Sequence, residues 1–341
     1  MATYRHHLPQ LSSDLFITDG GMETTLIFHN GWELPEFASF DLLKHQAGYQ
    51  AIQQYFRTYC ILAQNYGVGL ILESATWRAN LDWGTKLGHS REDLADINRK
   101  AIALLQDIRQ EYETEKTRIA ISGCIGPRGD GYIPANAMTV EEAADYHRFQ
   151  TQIFRDTDAD LVTAMTINYV EEAIGIVQAA QAVGMPVVIS FTVETDGKLP
   201  TGQSLKDAIL QVDAATNQAP AYYAINCAHP THFLEILTPG EPWVERIRGI
   251  RANASAKNHA ELNESDTLDE GNPAEFGSQY RDLLRQFPQI NVLGGCCGTD
   301  DRHIEAICKA CLPVFWTHLS NGVSNLYSIS RANKGELSWK D

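Results

Sequence analysis

The thiols carry the clearest chemical signal in this chain. Cys227 stands in the segment INCAHP, and Cys296 and Cys297 stand side by side in GGCCGT. Adjacent residues of a regular strand face opposite sides. Cys296 and Cys297 can therefore serve one ion only if the backbone leaves β geometry between them. Gly294, Gly295 and Gly298 bracket the pair and are expected to supply that freedom. A vicinal pair joined by a third thiol from a distant strand reads as a three-sulfur site. Sulfur ligands favour Zn2+ over hard cations, and three protein ligands leave a fourth tetrahedral position open, as in a catalytic zinc centre. Two plainer readings compete: small residues packed in a crowded core beside an inert Cys227, or a disulfide between Cys296 and Cys297.

The other thiols and the histidines carry less. Cys308 and Cys311 form a CxxC, but with Ile304 and Ile307 they fall at helical spacing, as one buried apolar stripe. Cys60, beside Phe56 and Leu62, reads as core. Cys124 ends a strand and reads as core with access to a pocket as the alternative. His229 precedes Pro230 and is expected to cap a helix rather than to ligate.

These residues need a scaffold, and the scaffold is legible as alternation. Apolar or β-branched runs occur at 15–21, 68–76, 118–126, 160–166, 187–195, 222–227, 244–253 and 291–297. Helical stretches fall between them, such as 92–113 with Ser90 as N-cap and 140–157 with Thr139 and Glu142 at capping-box spacing. Near-continuous apolar strands alternating with helices imply a parallel sheet covered by helices. Eight such units predict an α/β fold, a (β/α)8 TIM barrel in a single domain spanning 1–341, with its core at about 15–312. An open doubly wound sheet is the competitor, and no GxGxxG follows the first strand to support its dinucleotide-binding form. Two long loops, 77–89 and 254–273, would lie on the C-terminal face. The second carries Glu261, Glu264, Asp266, Asp269 and Glu270 and reads as a solvated acidic flap.

Composition narrows the partners. The 341 residues hold 27 Lys+Arg against 43 Asp+Glu, a net charge of −16. Such a surface repels nucleic acid and anionic membranes. No apolar run has the length of a membrane span, and the opening MATYRHHLPQ lacks the apolar core of a signal peptide. Seven cysteines in no regular framework fit a reducing, cytoplasmic setting. Small molecules are the expected partners, and self-association is left open.

Three segments together resemble the homocysteine S-methyltransferase family, with its betaine- and S-methylmethionine-dependent members: DGGMETTL at 19–26, INC at 225–227 and GGCCGT at 294–299. The likeness runs from about residue 15 to residue 312. It implies a zinc-dependent barrel that moves a methyl group onto a thiol, with Cys227, Cys296 and Cys297 as ligands and Asp19 against an amino-acid substrate. Homocysteine, giving methionine, is the first-choice acceptor, which would place the enzyme in methionine biosynthesis. One departure stands out. Met165 occupies the position of a family glutamate that helps to hold the homocysteine ammonium, and a methionine can only pack there. Either Glu73, Glu194 or Asp19 compensates, or the acceptor thiol lacks an α-amine.

The mechanism follows from the residues. A free thiol with its pKa near 8.5 is mostly protonated at neutral pH, and coordination to Zn2+ removes that proton. Three cysteine thiolates leave the metal weakly electrophilic, which suits alkyl transfer better than water activation. An onium-type methyl donor would rest on aromatic faces, for which Trp77, Trp83 and Tyr132 are the candidates. Thr192, Glu194, Asn226 and Asn253 lie at strand ends within reach of a substrate. The donor is expected to be small and directly supplied. The alternatives are a methyltransferase for another thiol, and an inactive barrel that binds zinc or a thiol; a hydrolytic zinc barrel ranks last.

Overall fold

The computed structural model describes residues 2–134, 137–263 and 267–332. Among these, eight parallel strands close into a barrel in sequence order: β1 (Phe16–Ile17), β2 (Gly69–Glu73), β3 (Ile119–Ile125), β4 (Leu161–Ile167), β5 (Val187–Phe191), β6 (Tyr222–Asn226), β7 (Ile247–Ala252) and β8 (Val292–Gly295). β8 closes the ring by pairing with both β7 and β1, Phe16 opposite Val292 and Ile17 opposite Leu293. This is the (β/α)8 TIM barrel.

The strands are buried on both faces, which is why they read as unbroken apolar runs. Alternation along them sorts two cores. Phe16, Ile71, Ala120, Leu161, Val188, Tyr222 and Val292 pack inside the barrel at its N-terminal end, whereas Ile17, Leu70, Leu72 and their equivalents pack outward against helices. Two residues further along, the same inward parity presents Glu73, Ser122 and Thr163, and further still Cys124, Met165 and Arg251. The interior is thus apolar at one end and polar at the other.

The helices begin where their signals stand. Ser90 and Asp93 form a reciprocal capping box on helix Arg91–Tyr112, and Thr139 and Glu142 form another on helix Val140–Arg155. His229 caps the short helix Pro230–Phe233 through its ring nitrogen, as expected. In the last helix, Asp301–Ala332, Ile304, Ile307, Cys308 and Cys311 form a wholly buried stripe. No helix among the described residues is long and apolar enough to cross a membrane. At the closed end, Arg109 pairs with Asp160 at 2.7 Å, both buried, and Asp160 also accepts from the Ile121 N–H at 2.9 Å.

Seven of the eight observed strands are shorter than the apolar runs, most of all β1, which has two residues where seven were expected; β4 keeps seven residues, shifted by one. The excess consists of residues just past the strand ends, and those build the site.

Candidate functional site

At the C-terminal mouth of the barrel lies an open cavity of about 860 Å³. Cys227 follows β6, and Cys296 and Cys297 follow β8. Their three sulfurs lie within 4.8 Å of one another on the cavity wall. Cys227 and Cys296 are joined as a disulfide, Cα to Cα 5.5 Å, while the Cys297 thiol is free. The vicinal Cys296–Cys297 bridge is therefore not formed. Burial pushes the Cys297 thiol up to about 11, and the Glu23 carboxylate adds to that, against a hydrogen bond with Tyr132.

The backbone does leave β geometry as expected, but the glycines act differently from expectation. Only Gly298 has a positive φ, +79°. Gly294 and Gly295 serve close approach instead: a Cβ on Gly294 would come within 1.8 Å of Thr18 Oγ1, and one on Gly295 within 2.0 Å of Thr299 Oγ1. On β6 the turn is made without glycine. Cys227 itself is left-handed at φ +53°, and so is Thr166 at φ +62°, beside an irregularity in the β4–β5 register. A β-branched residue there is strained, and Asn226 holds it. The Asn226 side-chain oxygen accepts from the Thr166 N–H at 3.0 Å and from the Ser190 hydroxyl at 2.6 Å, while its amide donates to Thr166 Oγ1 at 2.9 Å. Thr166 Oγ1 lies 3.9 Å from Cys227 Sγ.

The cavity floor is ionic. Asp19, just past β1, pairs with Arg251 at 2.7 Å and accepts from the Tyr55 hydroxyl at 3.1 Å. Burial raises its carboxyl, and Arg251 works against that rise. Burial also pushes Glu73 up to about 7, opposed by Arg251, and its Oε2 has no hydrogen-bond partner. Glu23, on the same wall, accepts from Ser39 at 2.7 Å and is likewise raised by burial. Met165 reaches the wall as an apolar patch, and Cys124 reaches it as well as being core. Asn253 lines the cavity with a buried, unpartnered side-chain oxygen.

Other expected site residues divide. Trp77 lines the cavity and donates from its ring nitrogen to the Met165 carbonyl at 3.2 Å. Tyr132 lines it too, with one face stacked on His259 at 4.0 Å between centroids. Trp83 does not belong there. It is buried away from the cavity, with Arg78 and Lys86 over its ring at 3.9 and 4.0 Å, whereas Trp77 lines the cavity and has Arg78 alone near its ring, at 4.9 Å. Thr192 is also a correction: it is wholly buried and stays behind the wall. Glu194 lines the cavity, 3.2 Å from His259 Nδ1.

The loop after β7 corrects a further expectation. Instead of standing off as a solvated flap, it folds over the cavity: helix His259–Asn263 lies along it, His259 Nε2 meets the Cys227 carbonyl at 2.6 Å, and Asp269 accepts from Ser255 at 2.8 Å. Glu264 and Asp266 lie outside the described residues. The residues missed in the sequence are Arg251, Glu23, Thr166 and His259. Arg251 was recoverable in principle, because it sits two residues before Asn253 at a strand end and a charge in an inward strand position needs a partner.

Comparisons with known proteins bear on the barrel as a whole. A family model for homocysteine S-methyltransferase matches residues 16–311. Homocysteine S-methyltransferase 2 of Arabidopsis thaliana is 23% identical, over 70% of this chain and 78% of that protein. Selenocysteine Se-methyltransferase of Brassica oleracea var. italica is also 23% identical, over 70% and 74%. In three dimensions the chain superposes on the homocysteine methyltransferase MmuM of Escherichia coli, at TM-score 0.68 and 21% identity for its oxidized form, covering 89% of this chain and 99% of that one. The metallated form of that protein gives TM-score 0.67 at 19% identity, with coverage of 89% and 98%. With the family model spanning the whole barrel from β1 into the last helix, the chain belongs to the homocysteine S-methyltransferase family.

Proposed function

We propose that this protein transfers a methyl group from an onium-type donor to the sulfur of a small thiol, with homocysteine as the first-choice acceptor and methionine as the product. Cys227, Cys296 and Cys297 would hold a zinc ion. The observation that carries the reading is the convergence of three sulfurs from two strand ends on one cavity wall.

The donor set fits the ion. Thiolates at about 2.3 Å from a tetrahedral zinc stand about 3.8 Å apart, within the spread of this cluster. Cys227 and Cys296 must be reduced to ligate, so their pairing and the metal exclude one another. When bound, zinc supplies the deprotonation of the acceptor thiol and an open coordination position beside it. The rest falls to the chain. Asn226 fixes the strained turn at Thr166, whose hydroxyl lies 3.9 Å from Cys227 Sγ, and Tyr132 hydrogen-bonds to Cys297. Trp77 offers an aromatic surface to a cationic donor. The acceptor sulfur attacks the methyl carbon, the donor's carbon–sulfur or carbon–nitrogen bond breaks with its electron pair going to the leaving group, and the thiol proton is released to solvent.

A second acceptor class, thiols without an α-amine, is favoured by Met165 on the wall and by the engagement of Asp19 with Arg251. The need for reduced cysteines fits the cytoplasm. Purified, reduced protein is incubated with S-methylmethionine, betaine or dimethylsulfoniopropionate and a panel of thiols, beside metal analysis of wild type and Cys297→Ser. About one zinc per chain, lost in the variant, and S-methylated product from at least one pair are expected. Full zinc retention by the variant refutes the ligand set, and no product from any pair leaves a thiol-binding barrel.

A further inference from the structure

The floor of the cavity carries a group that the family motifs do not account for. Arg251 is more than nine-tenths buried and lines the cavity. Its Nε donates to the Gly295 carbonyl at 3.1 Å, and its Nη2 donates to the Gly20 carbonyl at 3.3 Å and pairs with Asp19 at 2.7 Å. Its Nη1 has no partner. Glu73, also more than nine-tenths buried on the same wall, has an unpartnered Oε2. Buried polar atoms are almost always satisfied; Arg251 Nη1 and Glu73 Oε2, with Asp19 Oδ1 and Asn253 Oδ1 also lacking a hydrogen bond on this wall, mark a place where a ligand completes the bonding.

We infer that Arg251 and Glu73 form a seat for the carboxylate of the acceptor thiol, so that the protein selects thiols bearing a carboxylate and does not require an α-amine. Guanidinium N–H groups suit a carboxylate in geometry and charge. Glu73 in its protonated form, which burial favours by raising the carboxyl to about 7, adds an O–H donor to the second oxygen. Beside Arg251 an ammonium fares worse than a carboxylate. Met165 offers it no acceptor, Asp19 is already neutralised by Arg251, and the guanidinium itself repels it. Calling the ligand an acceptor rests on the methyltransferase reading, and the test keeps the two apart.

The test measures binding and needs no methyl donor. Reduced, zinc-loaded full-length protein is titrated calorimetrically with three unreactive S-methyl compounds: methionine, 4-(methylsulfanyl)butanoate, which lacks the amine, and 3-(methylsulfanyl)propylamine, which lacks the carboxylate. The first two are expected to bind within about threefold of each other. The third should bind about 10- to 150-fold more weakly, the worth of one charge-assisted hydrogen bond. Arg251→Gln should erase that preference. If it does not fold, the wild-type ranking decides alone, supported by Glu73→Gln, which keeps a donor and should keep the preference. Equal binding of the propylamine, a butanoate tenfold weaker than methionine, or no binding of any of the three overturns the inference. Selective binding without turnover would sink only the methyltransferase reading. Turnover without selectivity would sink only the carboxylate seat.

Discussion

Glu73 offers a quantitative test of how the cavity floor is built. Its carboxyl would titrate near 4.5 in an unfolded chain and titrates at about 7 here, because burial penalises the charge more than Arg251 relieves it. Between those two values the folded protein keeps a proton that the unfolded chain has lost. Stability therefore falls as pH rises from about 4.5 to about 7, and this contribution is flat outside that window. At about 1.4 kcal/mol per pH unit, the gap corresponds to about 3 kcal/mol. Glu73→Gln keeps the shape and removes the titration. The variant should match wild type near pH 4.5 and exceed it by about 3 kcal/mol at pH 8, measured by urea unfolding in reducing buffer with fluorescence and circular dichroism followed together. Other titrating groups act on both proteins and cancel in the difference, apart from the neighbours Asp19 and Arg251. A difference that stays constant from pH 4.5 to pH 8 would refute the reasoning, since it would mean that Glu73 is either solvated or fully paired.

Asn226→Ala should leave the buried Thr166 N–H and Ser190 hydroxyl unpaired and cost about 2–5 kcal/mol in urea unfolding; Asn226→Asp keeps the acceptor and should recover part of that loss. Gly294→Ala and Gly295→Ala should destabilise by at least about 1–3 kcal/mol through collision with Thr18 and Thr299, seen as lowered Tm. Cys308→Ala and Cys311→Ala should lower Tm slightly while metal content, measured by emission spectroscopy, stays at the wild-type level, because both thiols are packed in the last helix. Trp77→Leu should raise the KM for the methyl donor, and Trp83→Leu should leave it unchanged, in steady-state assays.

The barrel was legible because parallel strands buried on both faces leave an unmistakable run of apolar residues, and the capping signals at Ser90 and Thr139 bound their helices. The sulfur cluster was legible because cysteines at strand ends have few other reasons to be paired with glycines. What sequence could not show was long-range pairing. Nothing near Arg251 in the chain reveals that it crosses the barrel mouth to Asp19, 232 residues away by number, and so the aspartate looked free for an ammonium. Trp83 looked like Trp77 because both fall in the stretch 77–89; only the fold puts Trp83 on helix Leu81–Lys86, with Lys86 as well as Arg78 over its ring. The left-handed turn at Thr166 was hidden because a threonine gives no warning of positive φ, and its cause, Asn226, lies on another strand.

The seam where β8 meets β1 has a consequence for how the protein matures. Cys227 is fixed by β6, but Cys296 and Cys297 gain their places only when β8 docks between β7 and β1. Ring closure and assembly of the thiol trio are therefore one event, completed by the strand that follows the other seven in the chain. A nascent chain still lacking that strand presents a solitary Cys227, too poor in donors to capture a metal tightly, so acquisition of the ion would certify that the last stave is home.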